Sequence, residues 1–182
     1  MKKDPLYFIA LIPPEPIAEE VKAFKKLVQK RYHSRRALNS PAHITLQPPF
    51  RWPEERIGEI REVLKIFAPT QASFYQDLLD FDCFRPRVVF VNVVLNEALE
   101  ELVADLKEVL TPLLSEDQID KRPYHPHMTV GFKDLKPYYF YRAWDFFSEQ
   151  SYERQFEVDA IFLLHHNGRE WEVMERFGFE PK

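Results

Sequence analysis

One cysteine and four glycines stand in this chain of 182 residues, and each shortage excludes something. A lone Cys83 cannot close an internal disulfide, which fits a reducing compartment and predicts a cytoplasmic protein. Its neighbours in Asp82-Cys83-Phe84 predict a buried structural thiol rather than a nucleophile. Scarce glycine, with 15% aromatic and 45% hydrophobic residues, excludes low-complexity disorder. No apolar run is long enough to span a bilayer, so no membrane partner is expected. The run Met1-Lys2-Lys3-Asp4-Pro5 lacks the apolar region and cleavage site of a secretory signal. Positive charge is also short. A net charge of −4 excludes a protein that coats nucleic acid through a broad basic surface. Between Lys22 and Arg36 the charge is locally basic (Lys22, Lys25, Lys26, Lys30, Arg31, Arg35, Arg36), which reads first as a solvated helix face and its exit loop, and second as a local patch able to steer an RNA end or a nucleotide towards a nearby site.

What is present is a repeated order of elements. Tyr7–Ile12 reads as a buried strand, and Ile17, Val21, Phe24, Leu27 and Val28 recur at helical spacing. Ala42–Gln47 is a short strand that Pro48-Pro49 should close, followed by a helix with Ile57, Ile60, Leu64 and Phe67 on one face. An extended segment runs from Ala72 to Phe84. The second half repeats the order: strand Val88–Val94, helix on Leu99, Leu102, Leu106, Val109 and Leu113, strand Pro126–Phe132, aromatic helix Tyr138–Phe147. Phe156–Leu164 and Trp171–Phe177 predict a hairpin about Asn167-Gly168, a pair that favours a type I′ turn. The expected architecture is a single α+β domain over 1–182, pseudo-symmetric and two-lobed, with approximate lobes 1–85 and 86–182. Each lobe would be a small, mainly antiparallel sheet with outer helices, and an active cleft would lie between the lobes.

Within this frame, His43-Ile44-Thr45-Leu46 and His127-Met128-Thr129-Val130 occupy equivalent places, 84 residues apart. Six histidines and four threonines would give roughly 0.13 His-x-Thr triplets by chance, so two at matching positions demand an explanation. Side chains alternate across a strand, so His and Thr face one way while Ile44 and Leu46, or Met128 and Val130, anchor the other face. Hydrolysis of a phosphodiester needs a base to take a proton from water and an acid to protonate the leaving oxygen. Imidazole, with a reference pKa near ~6.5, does either near neutrality. In-line displacement suits one histidine from each lobe, with threonine hydroxyls as donors to the phosphate oxygens.

The paired motifs resemble those of the 2H phosphoesterase superfamily, and within it the 2′–5′ RNA ligase or RNA 2′,3′-cyclic phosphodiesterase family. The likeness extends over Phe8-Ile9-Ala10-Leu11, over the first motif running into Pro48-Pro49-Phe50, and over Arg87-Val88-Val89-Phe90. It implies a hydrolase of RNA processing that acts without metal or other cofactor. Its partner would be a nucleotide or RNA terminus carrying a cyclic phosphate, with no obligate protein partner. The resemblance makes His43 the proton donor, His127 the acceptor, and Thr45 and Thr129 the phosphate ligands. Many members carry an arginine just after the second motif, where this chain has Gly131-Phe132-Lys133, and Lys133 is the candidate substitute.

Other residues are read as secondary. Phe50 and Trp52 could stack on a base, and His125 shares the face of His127 and could line the cleft. The competing functions are a nucleotide- or phosphate-binding module using the same cleft, and a metal site built from His43, His125 and His127.

Overall fold

The computed structural model describes residues 3–180, so Met1 and Lys2 of the N-terminal run lie outside it. In chain order the elements are β1 (Leu6–Leu11), α1 (Ile17–Tyr32), β2 (Ile44–Arg51), α2 (Ile57–Phe67), β3 (Phe74–Phe84) and β4 (Val88–Val93). Then follow α3 (Glu97–Leu110), β5 (His127–Gly131), α4 (Pro137–Phe147), β6 (Glu153–Val158), β7 (Ala160–His166) and β8 (Trp171–Gly178). The strands form two four-stranded antiparallel sheets, ordered β2-β1-β7-β8 and β5-β4-β3-β6. The α+β, two-lobed expectation holds, and in both sheets the His-x-Thr strand is an edge strand beside the first strand of its half.

The lobe boundary at residue 85 does not hold. β3 joins the second sheet, and β7 and β8 return to the first, so the second sheet takes one strand and the first sheet two from the other half of the chain. The cause is local. Phe84 and Val88 pair across a tight turn closed by Arg87 N–H to Phe84 O at 3.0 Å, which commits β3 to its immediate successor β4. The single run expected over Phe156–Leu164 is likewise two strands in two sheets, divided at Asp159.

Two turn readings are also corrected. β2 continues through Pro48-Pro49 to Arg51, because an edge strand tolerates residues without a free N–H and the β1–β2 register is irregular there. The β7–β8 loop spans four residues between the paired His166 and Trp171, not a two-residue type I′ turn. The Asn167 side chain accepts from the N–H groups of Arg169 (2.8 Å) and Glu170 (2.9 Å), while Gly168 takes φ +97°, a region that favours glycine.

Helical periodicity translates directly into burial. Ile17, Val21 and Val28 of α1, Ile60, Leu64 and Phe67 of α2, Leu99, Leu102 and Leu106 of α3, and Phe140, Ala143 and Phe147 of α4 enter one core with residues of both sheets. On α4, Tyr138 and Tyr141 are instead exposed. Asn96 caps α3 by accepting from Leu99 N–H at 2.8 Å, a contact worth ~1 kcal/mol. α1 reaches across to the second sheet: Gly131 lies so close to it that a Cβ there would stand 2.9 Å from a Val28 methyl. Asp134, just beyond β5, accepts from Ser34 Oγ at 2.7 Å and Arg35 N–H at 2.9 Å, tying the α1 exit loop to the same sheet. Cys83 is half-buried against the core rather than enclosed, and burial raises its thiol pKa. Among the described residues no helix is long and apolar enough to cross a membrane.

Candidate active site

Strand alternation divides each motif as the sequence implies. Ile44, Leu46, Met128 and Val130 are buried in the main core, whereas His43, Thr45, His127 and Thr129 are only half-buried. His43 sits one residue before β2, and His127 is the first residue of β5. Thr45 stands opposite Ala10 of β1, and Thr129 opposite Phe90 of β4. The opposite face of β1 carries Tyr7, Ile9 and Leu11 into the core, while Phe8 and Ala10 belong to a separate cluster on the motif side.

Each imidazole is fixed in the same way. His43 Nδ1–H donates to the Pro41 carbonyl at 2.8 Å, and His127 Nδ1–H donates to the His125 carbonyl at 2.7 Å. A carbonyl can only accept, so both neutral rings carry their proton on Nδ1 and keep Nε2 as the bare nitrogen. Phe8 packs on His43 with ring centroids 4.9 Å apart, and Phe84 and Phe90 flank His127, each at 5.1 Å. These aromatic walls give the pKa shifts their cause. Burial pulls His43 down to about 4, opposed by the Pro41 carbonyl and helped by the Lys25 ammonium and by His127 whenever that ring is protonated. His127 is lowered as well, chiefly by burial. The edge strands of the two motifs, β2 and β5, are in contact, although 84 residues separate the motifs in sequence.

A cavity of about 720 Å³ opens beside His127, lined by Thr45 and Gln47 of β2, Phe84 of β3, and His125 and Phe132, whereas His43 and Thr129 are not among its lining residues. The connection from α3 to β5 closes over β2 through three side-chain bonds. Gln47 Nε2 donates to Gln118 O (2.8 Å), Gln118 Nε2 to Arg51 O (2.8 Å), and Tyr124 Oη to Thr45 O (2.9 Å). Burial pushes the Tyr124 hydroxyl above its usual range, so it stays protonated and keeps donating to the motif backbone.

The secondary candidates fare unequally. His125 does line the cavity, and its carbonyl also holds His127. Phe50 and Trp52 do not: they are 1% and 6% exposed and belong to the core, Phe50 beside Tyr7 and Trp52 donating Nε1–H to Arg56 O. Once β2 runs on through the prolines, Phe50 falls in the buried set of that strand. Lys133 is exposed, and its ammonium lies over the Phe132 ring at 5.4 Å rather than in the cavity. No trio of His, Cys, Asp or Glu among the described residues gathers as a metal-ligand set, His43, His125 and His127 included. Sequence reasoning missed Lys25, Phe8, Phe84 and Phe90. The aromatics carried a weak signal, being strand residues out of phase with the core-facing set; Lys25 lay inside a run that reads as solvent-exposed.

Comparison with known proteins gives the family and the fold. Residues 13–170 match the model of the 2′-5′ RNA ligase superfamily. A protein of Geobacillus sp. (strain WCH70), named provisionally as a phosphoesterase, is 32% identical over 178 residues, covering 94% of each chain. The RNA 2′,3′-cyclic phosphodiesterase of Bacillus subtilis (strain 168) is 32% identical over 76 residues, 42% of this chain and 40% of that one. In fold, Escherichia coli LigT, solved with 3′-AMP, superimposes with a TM-score of 0.68 at 18% identity over 98% of this chain and 99% of that one. With a family match over most of its length and a relative of the same extent, the chain belongs to the 2′-5′ RNA ligase superfamily.

Proposed function

We propose that this protein is a phosphodiesterase that opens a 2′,3′-cyclic phosphate on a nucleotide or RNA end by proton transfer between His43 and His127. The observation that supports this reading most is the matched Nδ1–carbonyl contact on each ring, which presets both tautomers with Nε2 available. Water attacks phosphorus while one imidazole takes its proton; the bond to one ribose oxygen breaks, and the other imidazole protonates that oxygen. Thr45 and Thr129 donate to the non-bridging oxygens as charge develops. A 5′-hydroxyl in place of water would give a 2′–5′ linkage by the same displacement, which makes ligation the second activity of the same site. The relatives named for phosphoester and cyclic phosphodiester chemistry support the substrate class.

The roles that follow from the resemblance, His43 as donor and His127 as acceptor, carry an electrostatic condition. Burial and Lys25 hold His43 neutral near pH 7. Its proton must therefore arrive with the substrate, whose negative charge favours the imidazolium. The test is an assay on nucleoside 2′,3′-cyclic phosphates in EDTA, with the product identified as the 2′- or 3′-phosphate. Turnover to one monoester is expected. Tight binding without turnover would make the cleft a binding module, and activity that needs added metal would refute the scheme.

A further inference from the structure

Lys25 is the anomaly of the basic run. It lies on α1 with 2% of its surface exposed, while its neighbour Lys22 pairs with Glu19 at the surface. A buried ammonium is costly unless hydrogen-bonded, and here the partners are two backbone carbonyls: Nζ donates to Ser40 O at 2.9 Å and Pro41 O at 3.1 Å. Among the described residues no carboxylate lies within ion-pair distance of it. The Pro41 carbonyl is the one that accepts from His43 Nδ1–H at 2.8 Å. A single oxygen therefore joins the ammonium to the imidazole. The equivalent carbonyl at His125 receives His127 Nδ1–H and no side-chain donor among the described residues, so the two halves of the site differ here.

We propose that Lys25 is a positioning residue for His43, anchoring the Pro41 carbonyl that sets the ring's tautomer and direction; this deepens the two-histidine reading and rests on it. A carbonyl preceding an edge strand by three residues has no sheet neighbour to hold it, and Lys25 supplies that hold from the helix behind. It also sets the charge of the ring. The groups that act on His43 are Lys25 from α1 and His127 from β5, both opposing protonation, while Phe8 from β1 is uncharged. On its outer side Lys25 borders a cavity whose charged lining is Glu15, Glu19, Lys22 and Glu170. Burial lowers the lysine to about 8, so it remains mostly charged at neutral pH.

Two variants test this, Lys25→Met, which fills the space without donors, and Lys25→Gln, which keeps a donor without the charge. Each is followed by thermal melting, by NMR titration of the histidine rings, and by kinetics on a nucleoside 2′,3′-cyclic phosphate. In folded Lys25→Met the His43 pKa is expected to rise while His127 stays in place, and kcat to fall about 10²-fold with KM little changed; Lys25→Gln, which keeps a donor to the Pro41 carbonyl, should recover part of that kcat. A wild-type kcat, or a fall in kcat with His43's titration unmoved, would overturn the proposal. So would loss of the fold in both variants, since Lys25 would then be a structural strut. If the native protein turns over no cyclic phosphate, the functional reading fails, and the His43 titration alone decides whether Lys25 sets the ring.

Discussion

His127 Nδ1–H meets the carbonyl of His125 at 2.7 Å, a contact made within three residues and duplicated by His43 on Pro41. Each motif thus holds its own imidazole through the backbone two residues upstream, and only the joining of the two edge strands depends on the global fold. Proton uptake should follow. Both rings start neutral, and an anion in the cleft favours the charged form, so inorganic phosphate should bind with net proton uptake near pH 7 and more tightly as pH falls. Calorimetry in buffers of different ionisation enthalpy measures this; binding without proton uptake would contradict it.

Stability should carry the same signature in the absence of ligand. His43 in the fold has a pKa of about 4, below its unfolded value near ~6.5, so the unfolded chain takes up the proton first. Its contribution is intact above pH ~6.5 and is lost as pH falls towards about 4, by at most about 3 kcal/mol. Urea unfolding of the native protein against His43→Gln isolates the effect: the native curve should fall more steeply over that window.

Gly131 follows the second motif by one residue and faces Val28 of α1. Gly131→Ala should cost about 1–3 kcal/mol by overpacking, and Val28→Ala in the same chain should recover part of that cost. Strict additivity of the two substitutions in denaturant unfolding would show that the contact is not there.

The sequence made the motif pair legible because alternation is a local rule: Ile44 and Met128 had to be buried if His43 and His127 were to face a cleft. Helical spacing placed Leu64, Leu106 and Phe147 in the core for the same reason. Partner choice between strands was not legible. Phe156–Leu164 reads as one β-prone run, and nothing in its composition marks Asp159 as the point where the chain leaves one sheet for the other. Lys25 was hidden by its own chemistry. Lysine among lysines predicts solvent, and only the carbonyls of Ser40 and Pro41, brought up by the fold, make burial tolerable there.

The most direct measurement is single-turnover hydrolysis of a nucleoside 2′,3′-cyclic phosphate by His43→Ala, His127→Ala and the double variant. Because each ring transfers a proton in the same step, each single change should slow the reaction about 10²–10⁴-fold with the fold retained. The double variant should be scarcely slower than the worse single one, since the pair acts as a unit. Near-native turnover by either folded single variant would contradict the two-histidine account.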